Sequence, residues 1–145
     1  MIEIESRELP DIPVLHAYPV GQKDTPLPCV IFYHGFTSSS LVYSYFAVAL
    51  AQAGLRVIMP DAPDHGSRFS GDAARRLNQF WQILLQSMQE FTTLRAAIAE
   101  ENWLRDDRLA VGGASMGAMT ALGITARHPT IKCTASMMGS GYFTS

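Results

Sequence analysis

Apolar and polar positions along the chain follow two periods, and their alternation suggests the architecture. IEIE at residues 2–5 alternates strictly, and IPVLHAYPV (12–20) is a longer apolar stretch set off by Pro10, so two short strands are expected near the start. A polar loop, GQKDTPLP, leads into CVIFYHG (29–35), whose Val, Ile and aromatic content reads as a buried strand ending at Gly35. Thr37, Ser38, Ser39 and Ser40 then offer oxygens to the orphan N–H groups of a following helix. That helix places Val42, Phe46, Ala49 and Leu50 on its buried face and stops at Gly54. LRVIMPDAPDHG (55–66) is a further buried strand, broken by Pro60 and followed by a loop.

The longest helical pattern spans 72–103. Leu77, Trp81, Leu84, Leu85, Met88, Phe91, Leu94 and Ile98 keep the i, i+3, i+4, i+7 spacing for about six turns, as expected of a helix packed on a sheet. DRLAVGGAS (107–115) then reads as a strand, MGAMTALGITARH (116–128) as a helix ending near Pro129, and KCTASMMGS (132–140) as a last strand. Strands alternating with helices imply crossover connections and a mainly parallel sheet, hence an α/β fold in one domain or a piece of one.

Composition narrows the class. The 145 residues are 48% hydrophobic and 17% charged, which suits a globular chain and argues against disorder. A formal charge of −2 and a pI near 6.0 give no electrostatic reason to expect nucleic acid or anionic lipid as a partner. No apolar run approaches the roughly 20 residues that span a bilayer. The acidic start MIEIESRELPDI has neither the basic nor the apolar region of a signal peptide. Cys29 and Cys133 sit in apolar runs without C-x-x-C spacing, which reads as two buried free thiols. Together these make the cytoplasm the expected location.

The chemistry concentrates in GGASMGAMTAL (112–122). Gly113-Ala114-Ser115-Met116-Gly117 matches G-x-S-x-G, at the point where an apolar strand meets a helix, the setting that motif requires. The glycines have a steric reason, because a side chain two positions either side of Ser115 would collide with the neighbouring strand and helix. The turn also sets N–H groups of a helix start beside the hydroxyl, where the positive end of the helix dipole favours an oxyanion. The bland reading of the same string is a Gly-rich turn carrying a capping serine. Two further signals favour catalysis. His34-Gly35-Phe36 ends the preceding buried strand, so that Phe36 and Met116 are placed to give the two N–H groups of an oxyanion hole, with Gly35 permitting close backbone approach. DAPDHGSR (61–68) occupies the loop after the next strand, on the carboxyl edge where open α/β sheets bind ligands.

These stretches resemble the α/β-hydrolase family: HGF its oxyanion motif, DAPDHGSR its D-x-P-G-H-G-x-S loop, and GGASMGA its nucleophile elbow. The resemblance runs the whole length of the chain. Asp64 stands where a glycine is usual, which bears on the local backbone and on the polarity of the pocket rim. The resemblance implies strand order 1-2-4-3-5-6, helices on both faces, and a serine esterase acting through an acyl-enzyme on Ser115. It implies a small-molecule ester as substrate and no metal or organic cofactor. Phe36 and Tyr43 would suit an acyl or aryl group.

The family's acid and histidine follow the serine in chain order, and no such pair is recognisable here. His128 lies a dozen residues along a helix from Ser115, roughly 18 Å away, and is expected to cap that helix. His16 is assigned to surface or strand packing, and His34 to a structural hydrogen bond. His65 alone shares the site's edge and is the candidate for a substitute base, with Asp61 and Asp64 to orient it, although the resemblance assigns it to loop structure. A metal held by Asp61, Asp64 and His65 is disfavoured, since three ligands on one short loop cannot easily surround an ion. The expectation is therefore that residues 1–145 form the N-terminal part of a single hydrolase domain. Its final strands and helices, with the triad's acid and base, would lie in sequence not present, and its last strand would be prone to self-association. A peptidase or acyltransferase on the same scaffold, or an inactive fragment or binding module, are the competing readings.

Overall fold

In the computed structural model the residues described are 1–129 and 131, together with the backbone of 133–137. Six strands form one sheet: β1 (Ile2–Glu8), β2 (Pro13–Pro19), β3 (Leu27–Tyr33), β4 (Arg56–Pro60), β5 (Leu104–Ala114) and β6 (Cys133–Met137). Their order is β1-β2-β4-β3-β5-β6, the one implied by the resemblance. The β1–β2 and β2–β4 pairs are antiparallel, whereas β3 pairs in parallel with β4 and β5, and β5 with β6. The parallel pairs require crossovers, supplied by helices α1 (Ser44–Gln52), α3 (Phe80–Glu100) and α4 (Met116–Arg127). A short helix, α2 (Ala73–Leu77), precedes α3.

The period-2 side-chain alternation divides each central strand between two cores. Cys29, Ile31 and Tyr33 of β3, with Leu109 and Val111 of β5, pack under α3 and α4 against Phe91, Leu94, Ile98 and Ile124. Val30 and Phe32 of β3, with Val57 and Met59 of β4, meet Ala47 and Ala51 of α1 on the other face. Burying each large apolar side chain contributes about 1.5–3 kcal/mol, so these layers fix the sheet from which the loops project.

Several elements differ from the sequence expectation. β3 ends at Tyr33, two residues short of Gly35. α1 begins at Ser44 with Tyr43 at its N-cap and no side-chain cap; it buries Ala47 and Ala51, while Val42 and Ala49 are exposed and Phe46 and Leu50 are partly buried. The Thr37–Ser40 run belongs to a loop wrapped over the sheet edge, where the Ser40 N–H is taken by Asp61 Oδ1 at 2.9 Å. The long helical pattern is interrupted at Asn78–Gln79. α2 is capped by Asp72, whose carboxylate accepts from Arg75 N–H at 2.9 Å, and α3 starts afresh at Phe80. In consequence Leu77, Trp81 and Leu85 are solvent-exposed and Ile83 takes an inward position. β5 starts earlier than expected, at Leu104, and bulges through Asp106 and Asp107, both at positive φ, before rejoining β3 at Leu109.

Among the described residues no helix is long and apolar enough to cross a membrane. Cys29 is buried and burial pushes its thiol up to about 12, so it is inert at neutral pH. The side chain of Cys133 lies outside the described residues.

Candidate active site

Ser115 is the junction of β5 and α4, with φ 56° and ψ −118°. A non-glycine residue in this region costs on the order of 1–3 kcal/mol and persists only where its surroundings enforce it. The enforcement is visible at the flanking glycines. A Cβ on Gly113 would lie 2.2 Å from Gly117 C, and one on Gly117 would lie 2.0 Å from Tyr33 O. β5, α4 and β3 therefore close on one another at backbone distance, and the turn has no room to relax. Ser115 occupies the N-cap position of α4 but makes no side-chain cap hydrogen bond, and it is exposed. This departs from the capping-serine reading, because the hydroxyl is not spent on the helix. Met116 is the first helical residue, so its N–H has no intrahelical acceptor.

The loop after β3 lies against this turn. A Cβ on Gly35 would stand 3.4 Å from both Ser115 Cβ and Ala114 O, and 3.2 Å from Tyr43 Oη. Two buried imidazoles stitch that loop to the loop after β4. His34 Nδ1 bonds Gly35 O at 2.8 Å, and its Nε2 accepts the Ala62 N–H at 3.0 Å. His65 Nδ1 bonds Pro63 O at 2.9 Å, and its Nε2 accepts the Thr37 N–H at 2.8 Å. Since each Nε2 accepts and each Nδ1 faces a carbonyl, both rings are neutral and protonated at Nδ1. Burial away from water pushes His34 down to about 4, against the opposing pull of its Gly35 bond, and burial likewise lowers His65.

His34 thus has the structural hydrogen bonds expected of it. His65 does not have the geometry of a substitute base: its acceptor nitrogen is already occupied by Thr37. Nor do the two aspartates orient it. Asp61 serves Ser40 N–H and Ser67 Oγ, the latter at 3.1 Å, and Asp64 serves Ser70 N–H at 2.7 Å. Asp64 has φ 59°, so the position where the family carries glycine does adopt the left-handed backbone. No group of three or more potential metal-ligating residues occurs among the described residues. His16, assigned to surface or strand packing, is fully buried, bonded to Glu5 Oε2 at 2.7 Å and to Arg56 Nη1 at 2.8 Å and stacked on Trp103. His128 is the C-cap residue of α4, and its ring packs 4.9 Å from Phe91.

Sequence reasoning missed Asp61 as an anchor of the oxyanion-side loop. Its signal was a carboxylate at the end of an apolar strand, where only a buried hydrogen-bonding role makes burial tolerable. It also missed Arg68, whose guanidinium makes a two-pronged pair with Glu90 at 2.9 Å on each side and bonds Asp61 O at 3.1 Å, tying the loop to α3.

A family model described as serine aminopeptidase, S33, matches residues 24–142 of this chain. The chain belongs to that hydrolase family. Esterase YjfP of Escherichia coli (strain K12) is 97% identical over 145 residues, which are 100% of this chain and 58% of that protein. YitV of Bacillus subtilis (strain 168) is 36% identical over 141 residues, 97% of this chain and 55% of that protein. The chain thus spans somewhat more than half the length of these relatives. Among solved structures, a cold-adapted esterase from an Arctic intertidal metagenomic library superposes with a TM-score of 0.69 at 24% identity, over 93% of this chain and 59% of that one. The fold is that of the α/β hydrolases: a mixed sheet with helices on both faces.

Proposed function

We propose that this chain carries the nucleophile and oxyanion site of a serine hydrolase that cleaves carboxylic esters. The observation that carries the reading is Ser115 itself, a strained, exposed serine at a helix start whose hydroxyl does not cap the helix. Ser115 Oγ attacks the ester carbonyl carbon and passes its proton to a histidine. The N–H groups of Phe36 and Met116 hold the oxyanion. Collapse expels the alcohol, which takes the proton back, and water then repeats the sequence to release the acid and free Ser115. Gly35, Gly113 and Gly117 give the backbone its close approaches, while His34 and His65 support the loops. None of these steps calls on a metal or organic cofactor. The acid and histidine come from chain corresponding to the part of the relatives that this sequence does not match, which makes residues 1–145 the N-terminal part of one hydrolase domain acting in the cytoplasm.

Esterase activity on chromogenic esters tests this, with Ser115→Ala alongside. In a polypeptide extended to the length of the relatives, Ser115→Ala should abolish turnover. The 145-residue chain should show no more than the roughly 10³–10⁴-fold acceleration over water left when triad members are missing. Full activity in the short chain, or in Ser115→Ala, would sink the reading. The family's description favours a second possibility, aminoacyl amide cleavage, and comparing ester with aminoacyl-anilide substrates separates the two. β6 is the outermost strand on its side among the described residues, so the 145-residue chain should self-associate. A sedimentation profile showing only monomer across a hundredfold concentration range would contradict that.

A further inference from the structure

We infer that His65 is a positioning residue for acyl transfer, holding the Phe36 N–H at the oxyanion through its bond to the neighbouring amide. This rests on the roles proposed above for Ser115 and Phe36. The argument starts from the planarity of the peptide unit. The Phe36 N–H shares one rigid plane with the Gly35 carbonyl, and the Phe36 carbonyl shares the next plane with the Thr37 N–H. His34 Nδ1–H holds the first plane by its 2.8 Å bond to Gly35 O, and His65 Nε2 holds the second by its 2.8 Å bond to the Thr37 N–H. The two soft dihedrals of Phe36, φ and ψ, lie between those planes, so fixing both planes fixes the direction of the Phe36 N–H.

Each imidazole in turn is anchored on the opposite loop. His34 extends from the β3 loop and accepts from Ala62 in the β4 loop, while His65 extends from the β4 loop and accepts from Thr37 in the β3 loop. The bonds are reciprocal, and both rings are almost wholly excluded from water. Thr37 is itself at φ 67°, a conformation a β-branched residue rarely adopts, so its amide is held where it would not otherwise rest. The Phe36 ring lies 5.3 Å from the His65 ring and 5.0 Å from Phe80, which limits how the residue can turn. Among the described residues no hydrogen bond takes the Phe36 N–H, and it remains available to a substrate oxygen. Removing His65 leaves this donor in place and still held through Gly35 by His34, but releases the peptide plane on its far side. That differs from deleting the donor, which costs about 10²–10³ in kcat at comparable sites.

The test has two arms. Nitrogen-15 NMR of the polypeptide extended to the relatives' length, at pH 7, should find His65 protonated at Nδ1 with an unprotonated, hydrogen-bonded Nε2, the less common tautomer. A His65 protonated at Nε2 overturns the assignment whether or not any variant folds. In the polypeptide extended to the relatives' length, His65→Ala should lower kcat about ten- to a hundredfold with KM changed by less than about twofold. His65→Gln, whose amide oxygen can accept from Thr37, should recover most of that loss. If kcat of His65→Ala stays within threefold of the parent, if KM rises as much as kcat falls, or if His65→Gln is no faster than His65→Ala, the assignment falls. Ser115→Ala keeps the two proposals apart. Should it retain the parent rate, the esterase reading fails; should it be inactive while His65→Ala turns over normally, only the role of His65 fails.

Discussion

A serine at a helix start ordinarily turns its oxygen back onto the N–H groups of the first turn, and Ser115 instead leaves its hydroxyl exposed at φ 56°. That arrangement sacrifices stability, and glycine should recover it. Ser115→Gly is expected to stabilise the chain by about 1 kcal/mol, since glycine adopts this backbone without strain, whereas Ser115→Ala keeps the Cβ and gains nothing comparable. Urea unfolding with an unchanged slope checks it, and equal midpoints for the two variants would deny the strain. At this scale the sequence spoke clearly for Ser115, Gly113 and Gly117, because G-x-S-x-G lies between an apolar strand and a helix. It spoke poorly for His65. Its partner is a backbone amide 28 residues away, a bond that no local spacing reports.

The strands were legible because each carries period-2 alternation or a short apolar run, and all six appear where that pattern placed them to within a few residues. The helices were less so, for two physical reasons. Residues that look like caps in Thr37–Ser40 are claimed by tertiary bonds such as Ser40 N–H to Asp61, which delays α1 until Ser44. The apolar stripe through Leu77, Trp81 and Leu85 keeps helical spacing but crosses the break before α3, so its upper part faces solvent. Where α4 meets β3 the fit is closest. Gly117→Ala would set a Cβ 2.0 Å from Tyr33 O, against backbone that cannot give way as a flexible side chain can. We expect a loss of about 3 kcal/mol or more, the upper end for overpacking. A thermal midpoint within a degree or two of the parent would show that the two backbones are not in contact.

For the molecule as a whole, buried neutral histidines make acid the weak side. Burial holds His16 and His34 each down to about 4 in the folded chain, against an ordinary value of 6.5. A base with a lowered folded pKa contributes its full stability above pH 6.5, and that contribution drains away as pH falls from 6.5 towards 4, where the unfolded chain binds more protons. The loss is on the order of 3 kcal/mol for each ring across that window. Urea midpoints measured between pH 7 and pH 4.5 should fall steadily, and His34→Gln should flatten part of the slope. A flat profile would mean that the rings are not buried neutral. The sheet order carries a last consequence. β4, β3 and β5 are consecutive neighbours, and among the described residues the loops against Ser115 hang from these three strands. On a ribosome, the seat of the nucleophile can therefore be assembled once α4 has emerged, ahead of everything later in the chain. Under the division of roles proposed here, that seat holds a positioned serine before the histidine that takes its proton has been supplied to it.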